Sequence, residues 1–375
     1  MNFSSKGNQS CICSIFKKIQ PLQTLTILFK GSSTPVSVSF MSFDSTTNCV
    51  KASVDGRIIV FSCRDVMGVG CSPALTCSVL SYVANNQDDT VSVIDTATNT
   101  VIETIPVGDR PTGIDITPNG TRVYVSTAGN DSVSVINTAN NQVVATIPVG
   151  DGPVEVAVNP SGTRVFVSNN NVDSVSVINT ANNQVIATIT VGDGPQGITF
   201  TPDGSRAYVA NANESTISVI NTSTNMVDNT ITLGAGNGPQ FIVFTPDGLR
   251  AYVTNLQSDT VFEIDTTNNM VIDSIALNNP IGITISPDGA LVYVTNNTDD
   301  TVSVIDTYNN MVVNTIMVGD GPQEGIAFTP EGTRLYVSNG NTNTVSVIDA
   351  AMGIVVETIT VGNRPFDLTV GRVCS

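Results

Sequence analysis

The sequence predicts an all-β protein: a seven-bladed β-propeller of four-stranded antiparallel blades, preceded by a small cysteine-rich N-terminal segment. Three observations predict it. An aromatic-valine pair recurs at Tyr82, Tyr124, Phe166, Tyr208, Tyr252, Tyr293 and Tyr336, in steps of 42, 42, 42, 44, 41 and 43 residues. A Pro-x-Gly triplet precedes six of these aromatics, at Pro118, Pro160, Pro202, Pro246, Pro287 and Pro330. With 41% apolar and only 13% charged residues, the 375-residue chain is too apolar to be disordered and can bury a large core.

One repeat shows the four strands in order. Gly113–Thr117 reads as a short strand, and Pro118-Asn119-Gly120 as a tight turn, because proline pre-sets φ and glycine accepts a positive one. Arg122–Ser126 and Ser132–Ile136 are the second and third strands. Asn137–Asn141 is a polar loop, and Gln142–Ile147 is the fourth strand. A ring of such sheets leaves only short outer edges unpaired.

The ends of the repeat array are offset, which predicts how the ring closes. Prolines 111, 153, 195, 239, 280, 322 and 365 each open an inner strand, but Pro365–Val370 has no second, third or fourth strand after it. Tyr82 has no inner strand before it. The two halves should complete one blade, with strands at 80–107 pairing with 365–370. Aligned on the repeat, Cys77 and Cys374 both fall at the missing turn between first and second strands. They are expected to form a disulfide there under oxidising conditions; the alternative is two neighbouring free thiols.

Charge and cysteine divide the chain at one place. Residues 1–78 carry +4 and six cysteines; residues 79–375 carry −21, eight arginines, no lysine and only Cys374. We therefore assign 1–78 to a cysteine-rich, weakly β segment, with strands at Val36–Phe43, Cys49–Val54 and Arg57–Ser62, and 79–375 to the propeller. Cys11-Ile-Cys13 and Cys71-x5-Cys77 lack the paired spacing of a zinc site and suit disulfides, including links to another chain. The stretch after Lys17 and Lys18 is broken by Pro21 and makes a poor signal peptide. No stretch reads as a membrane span.

The repeats resemble the YVTN family of β-propeller proteins of archaeal surface layers and bacterial envelopes. Tyr252-Val-Thr-Asn255 and Tyr293-Val-Thr-Asn296 carry the motif. Tyr208-Val-Ala-Asn211, Tyr336-Val-Ser-Asn339 and Phe166-Val-Ser-Asn169 are variants of it. Val149-Gly-Asp-Gly-Pro153 and Val318-Gly-Asp-Gly-Pro322 carry the family's Val-Gly-x-x-Pro. The likeness covers about residues 79–371 and implies the fold more strongly than a function, since propellers host enzymes, binders and scaffolds.

Two sets of carboxylates are candidate ligand-binding residues. Asp109, Asp151, Asp193 and Asp320 sit in the loops between fourth and first strands, which ring one mouth of the channel. They could hold a hard cation such as Ca²⁺, or merely accept backbone N–H bonds in Gly-Asp-Gly-Pro turns. Glu155, Glu324 and Asp367 break the repeat near the start of their inner strands, either for function or by drift on a wet channel wall. Arg122, Arg164, Arg206, Arg250 and Arg334 share one repeat position. They read as an anion-binding ring or as arginines bonding blade carbonyls.

The chain has no histidine, so Ser-His-Asp and Cys-His catalysis and His-ligated metals are excluded. The acidic balance argues against nucleic acid. No cofactor is predicted, and no catalytic residue is assigned. The main expectation is a non-catalytic binding or scaffold protein of a surface layer or envelope, meeting a protein or surface-polymer partner. It would lie at the cell surface or in a spore or envelope layer, or alternatively in the cytoplasm. The alternatives are a lactonase-like or other propeller hydrolase with a carboxylate/arginine site, and a Ca²⁺-dependent adhesin.

Overall fold

The computed structural model describes residues 24–29, 36–44, 49–54, 57–62, 66–70 and 77–374, the side chains from 77 onward. The chain divides into two compact units, Met1–Thr76 and Cys77–Ser375. In the first, β1 (Thr24–Phe29), β2 (Val36–Asp44), β3 (Cys49–Val54), β4 (Arg57–Ser62) and β5 (Val66–Gly70) form one antiparallel sheet in the order β4-β3-β2-β1-β5. The expected turn at Asp55-Gly56 and the cysteines at 11, 13, 63 and 71 lie outside the described residues.

The second unit is seven four-stranded antiparallel sheets. The described residues are strands and turns apart from one 3-10 turn at Asn170–Val172. The first blade holds β6 (Cys77–Asn85), β7 (Thr90–Asp95) and β8 (Thr100–Pro106). The second holds β9 (Pro111–Ile116), β10 (Arg122–Thr127), β11 (Ser132–Asn137) and β12 (Gln142–Pro148). Blades three to seven follow as β13–β16 (153–190), β17–β20 (195–232), β21–β24 (239–276), β25–β28 (280–317) and β29–β32 (322–360). The last strand, β33 (Pro365–Cys374), returns to β6 and completes the first blade. Its ladder runs from Pro365 opposite Asn85 to Cys374 opposite Cys77. There the two cysteines are bonded, with Cα atoms 4.0 Å apart. The ring thus closes as the sequence predicts, with a longer ladder: β33 runs on to the disulfide instead of stopping at 370.

Neighbouring blades pack face to face and share a core. Leu80, Tyr82, Val91 and Val93 of the first blade meet Ile114, Val123, Val125 and Ile136 of the second, and the other interfaces repeat the pattern. The repeated aromatic carries a polar tip across the interface. The hydroxyls of Tyr82, Tyr208, Tyr252 and Tyr336 donate to Asn141, Asn269, Asn310 and Asn99 at 2.6–3.1 Å. The arginines at the start of the second strand do the same. Arg122, Arg164 and Arg250 donate to the carbonyls of Thr180, Thr222 and Thr307 at 2.5–2.6 Å. They are ties between blades, so the carbonyl-bonding alternative describes these three. In the third strand of the fifth blade Glu263 stands where the other blades have valine, at Val93, Val135, Val177, Val219, Val304 and Val347. This buried carboxylate accepts from Arg250 Nη1 at 2.9 Å and Asn310 Nδ2 at 2.6 Å, forming an ion pair inside the same frame.

The turns explain two motifs. The Asn that ends Tyr-Val-Thr-Asn is buried, and its amide donates to hydroxyls of the third strand, as Asn169 does to Ser174 and Ser176 at 3.1 and 3.0 Å. The Val-Gly glycine is small because that side chain lies against it: a Cβ on Gly150 would sit 2.6 Å from Asn169 Cγ. Each hairpin between second and third strands holds a residue with positive φ, for example Asp131 at 49° and Asp173 at 49°. Its side-chain oxygen accepts the N–H just before the next inner strand, a carboxylate oxygen at Gly152 (3.0 Å) and Gly194 (3.1 Å), the Ser215 hydroxyl at Asn237 and the Asn343 amide oxygen at Arg364.

Candidate functional site

The inner strands β9, β13, β17 (Pro195–Phe200), β21 (Pro239–Phe244), β25 (Pro280–Ile285), β29 (Pro322–Phe328) and β33 surround the central channel. The position two residues after the opening proline is crowded. A Cβ on Gly113 would lie 2.6 Å from Val154 O of the next blade, and Gly197 and Gly282 are as tightly placed. Glycine is therefore the regular residue there. Glu155, Phe241 and Asp367 replace it, while Glu324 is an added residue just before Gly325, accommodated where the β29 register shifts between Pro322 and Ile326.

These three carboxylates meet in the channel, joined by Asp115 two positions further along β9. They line one cavity of about 340 Å³. In ring order they come from blades seven, one, two and three, so they form an acidic arc over four adjacent blades. The facing wall is apolar, with Ile198, Phe200, Phe241 and Ile283. The lining reaches Pro160, so the cavity lies toward the turns between first and second strands.

Three of the four carboxylates are held by backbone N–H groups. Asp115 Oδ2 accepts Val158 N–H at 2.8 Å and its Oδ1 accepts Ile116 N–H at 2.7 Å. Asp367 Oδ2 accepts Ile114 N–H at 2.9 Å and its Oδ1 accepts Leu368 N–H at 2.7 Å. Glu155 Oε1 accepts Val156 N–H at 2.9 Å. Glu324 Oε2 is buried with no partner. Burial outweighs these bonds. It raises Asp115 to about 6 and Asp367 to about 7, each opposed by the two N–H donors. Burial, then the charges of Asp367 and Glu324, hold Glu155 well above the ordinary range; burial and Asp367 do the same for Glu324. Near neutrality the arc therefore contains both proton acceptors and proton donors, the division of labour that acid–base catalysis needs.

The other predicted residues do not join the arc. Asp109, Asp151, Asp193 and Asp320 are exposed, each in its own loop at the opposite mouth. Asp151, Asp193 and Asp320 accept Asn171, Asn213 and Asn341 side-chain amides at 2.9 Å, and the Asp109 N–H donates to Asn130. Among the described residues no group of three or more Asp, Glu or Cys side chains is arranged to hold a metal ion. No arginine lines the cavity, so the chemistry available there is carboxyl chemistry without a guanidinium. Asp115 was missed by sequence reasoning. Its signal is that it alone is acidic at a position held elsewhere by Ala157, Thr199, Val243, Thr284, Ala327 and Thr369.

The family model described as lactonase, seven-bladed β-propeller, matches residues 75–185 and 224–353. The chain belongs to this lactonase family. Among solved structures, the family fold is shared with Kuenenia stuttgartiensis hydrazine synthase at 22% identity and a TM-score of 0.67, covering 72% of this chain and 92% of that one. A putative 6-phosphogluconolactonase from Bacteroides uniformis is 18% identical with a TM-score of 0.68, covering 78% and 100%. The periplasmic gluconolactonase PpgL of Pseudomonas aeruginosa is 19% identical with a TM-score of 0.65, covering 79% and 99%. At these identities the likeness is one of fold. No curated protein matches the sequence. Membership of the lactonase family overturns the expectation of a non-catalytic surface-layer or envelope scaffold. The physical reason is burial: lacking histidine, the chain keeps titratable groups near neutral pH by burying carboxyls in the channel.

Proposed function

We propose that the propeller hydrolyses lactones in its central channel. The observation that carries this reading is the buried carboxylate arc in the channel of a lactonase-family propeller. Asp367, ionised above about pH 7 and aligned by two backbone N–H groups, takes a proton from a water molecule. The water oxygen bonds to the lactone carbonyl carbon, and the bond from that carbon to the ring oxygen breaks. Glu324, kept protonated by burial and by Asp367, gives its proton to the departing ring oxygen. The product is an open hydroxy acid, and proton transfer from Asp367 to Glu324 restores the site. Phe200 and Phe241 supply a flat apolar wall for the ring. The Tyr-Val-Thr-Asn motif belongs, in this reading, to the frame and not to the chemistry. The Cys77–Cys374 bridge supports an oxidising compartment for the protein.

The test is a pH-stat assay with glucono-1,5-lactone. Wild type should exceed spontaneous hydrolysis, and Glu324→Gln and Asp367→Asn should each lower kcat/KM by about 10²- to 10⁴-fold while unfolding cooperatively. Wild-type rates no higher than spontaneous hydrolysis would refute the reading, as would variants of undiminished rate.

A further inference from the structure

The charge of the channel restricts what it can admit. No lysine occurs in residues 79–375, and none of their eight arginines lines the cavity. Three of those arginines are committed to carbonyls of the neighbouring blade, and Arg372 pairs with Glu331 at 2.6 Å. Against this stand Asp115, Glu155, Glu324 and Asp367 on one side and Ile198, Phe200, Phe241 and Ile283 on the other. The backbone N–H groups near the arc are already bonded to its carboxylates. An anionic group entering here meets like charge and finds no free cation. A neutral polyol instead offers hydroxyl donors to the acidic arc, including the unpartnered Glu324 Oε2, and a C–H face to the aromatic wall.

We infer that the channel selects uncharged, non-phosphorylated lactones and rejects their phosphate esters. This rests on the hydrolase reading above and deepens it. Like-charge exclusion of this kind is a source of specificity in its own right, because a dianion must give up its hydration without a compensating partner.

The experiment pairs two measurements on the full chain. Hydrolysis of glucono-1,5-lactone is compared with that of its 6-phosphate. Calorimetric binding is compared for the corresponding lactams, neutral and 6-phosphorylated, which do not hydrolyse. The expected result is a kcat/KM at least about 100-fold higher for the neutral lactone, and binding of the neutral lactam alone. In Asp115→Asn, which takes from the arc a carboxylate that is ionised at neutral pH, the binding preference should narrow. If the phosphorylated lactone reacts as well as the neutral one, the inference falls and the hydrolase reading stands; if the phosphorylated lactam binds as well as the neutral one, the inference falls. If the neutral lactam binds, its phosphate does not, and neither lactone is hydrolysed above background, the hydrolase reading falls and the selectivity stands. If neither lactam binds, the inference is overturned.

Discussion

Asp115 and Asp367 combine two opposing influences: backbone N–H groups that favour their charge, and burial that disfavours it more. Their folded values, about 6 and about 7, lie above the ordinary 3.8. The folded protein therefore binds more protons than the unfolded chain between about pH 4 and pH 7. The stability these groups contribute is fully present below pH 4 and is lost as pH rises through 6 and 7. Exposed Asp203, Asp247 and Asp288 act in the opposite sense and in another window. Hydrogen bonds from turn hydroxyls and N–H groups lower them, so their contribution fails only below about pH 4. The melting temperature should accordingly fall between pH 5 and pH 8, and less steeply in Asp367→Asn; a wild-type melting temperature that rises over this interval would contradict the assignment. Glu155, Glu324 and Asp367 were legible in the sequence because each interrupts a regular position. Asp115 was not, because the residues at its position already vary. The four mouth aspartates follow the repeat; in the structure Asp151, Asp193 and Asp320 accept asparagine side-chain amides within their own loops, away from the arc.

At the scale of the element, the inner strand is where the repeat and the site compete. Its register is anchored by proline at one end and by the buried Asn of the second strand beside it, as in the Pro153–Asn169 pair. The Val-Gly glycine before it leaves room for that Asn. Gly150→Ala adds a methyl group 2.6 Å from Asn169 Cγ and should cost about 1–3 kcal/mol in urea unfolding. The exposed linker residue Gly236 has nothing within 4 Å of its missing Cβ but a φ of 83°. Its replacement by alanine tests backbone strain alone. A neutral Gly150→Ala would remove the link between the two motifs. Strand limits in the repeat at 111–150 were readable to within one or two residues, since Pro, Gly and Asn punctuate its turns, whereas the closing strand β33 runs four residues past the expected 370. The recurrent register shift between third and fourth strands, as at Val135/Ile136, was not readable, because both residues there are apolar and no turn residue marks the bulge.

For the whole molecule, closure depends on pairing the two ends of the propeller, and the Cys77–Cys374 bond locks a ladder between residues 297 apart in sequence. Cys374→Ser should lower stability by up to about 5 kcal/mol in the chain-entropy picture. Reductant should lower the melting temperature of wild type but not of the variant; equal melting temperatures for oxidised and reduced wild type would show that the ladder alone closes the ring. The offset of the repeat array made this closure visible, because a ring can be completed only by joining the two partial blades. Function was less legible. The absence of histidine and the −21 charge of residues 79–375 suggested a platform, since sequence does not reveal which carboxyls are buried. Burial turns two of those carboxyls, Asp115 and Asp367, into groups that exchange protons near neutral pH, and holds Glu155 and Glu324 well above the ordinary range. The most direct test is the pH–rate profile of glucono-1,5-lactone hydrolysis, corrected for spontaneous reaction. The expected kcat/KM rises with pH through an ionisation near 7, where Asp367 loses its proton. A corrected rate of zero throughout, or a profile with no ionisation in that region, would contradict catalysis by the channel carboxylates.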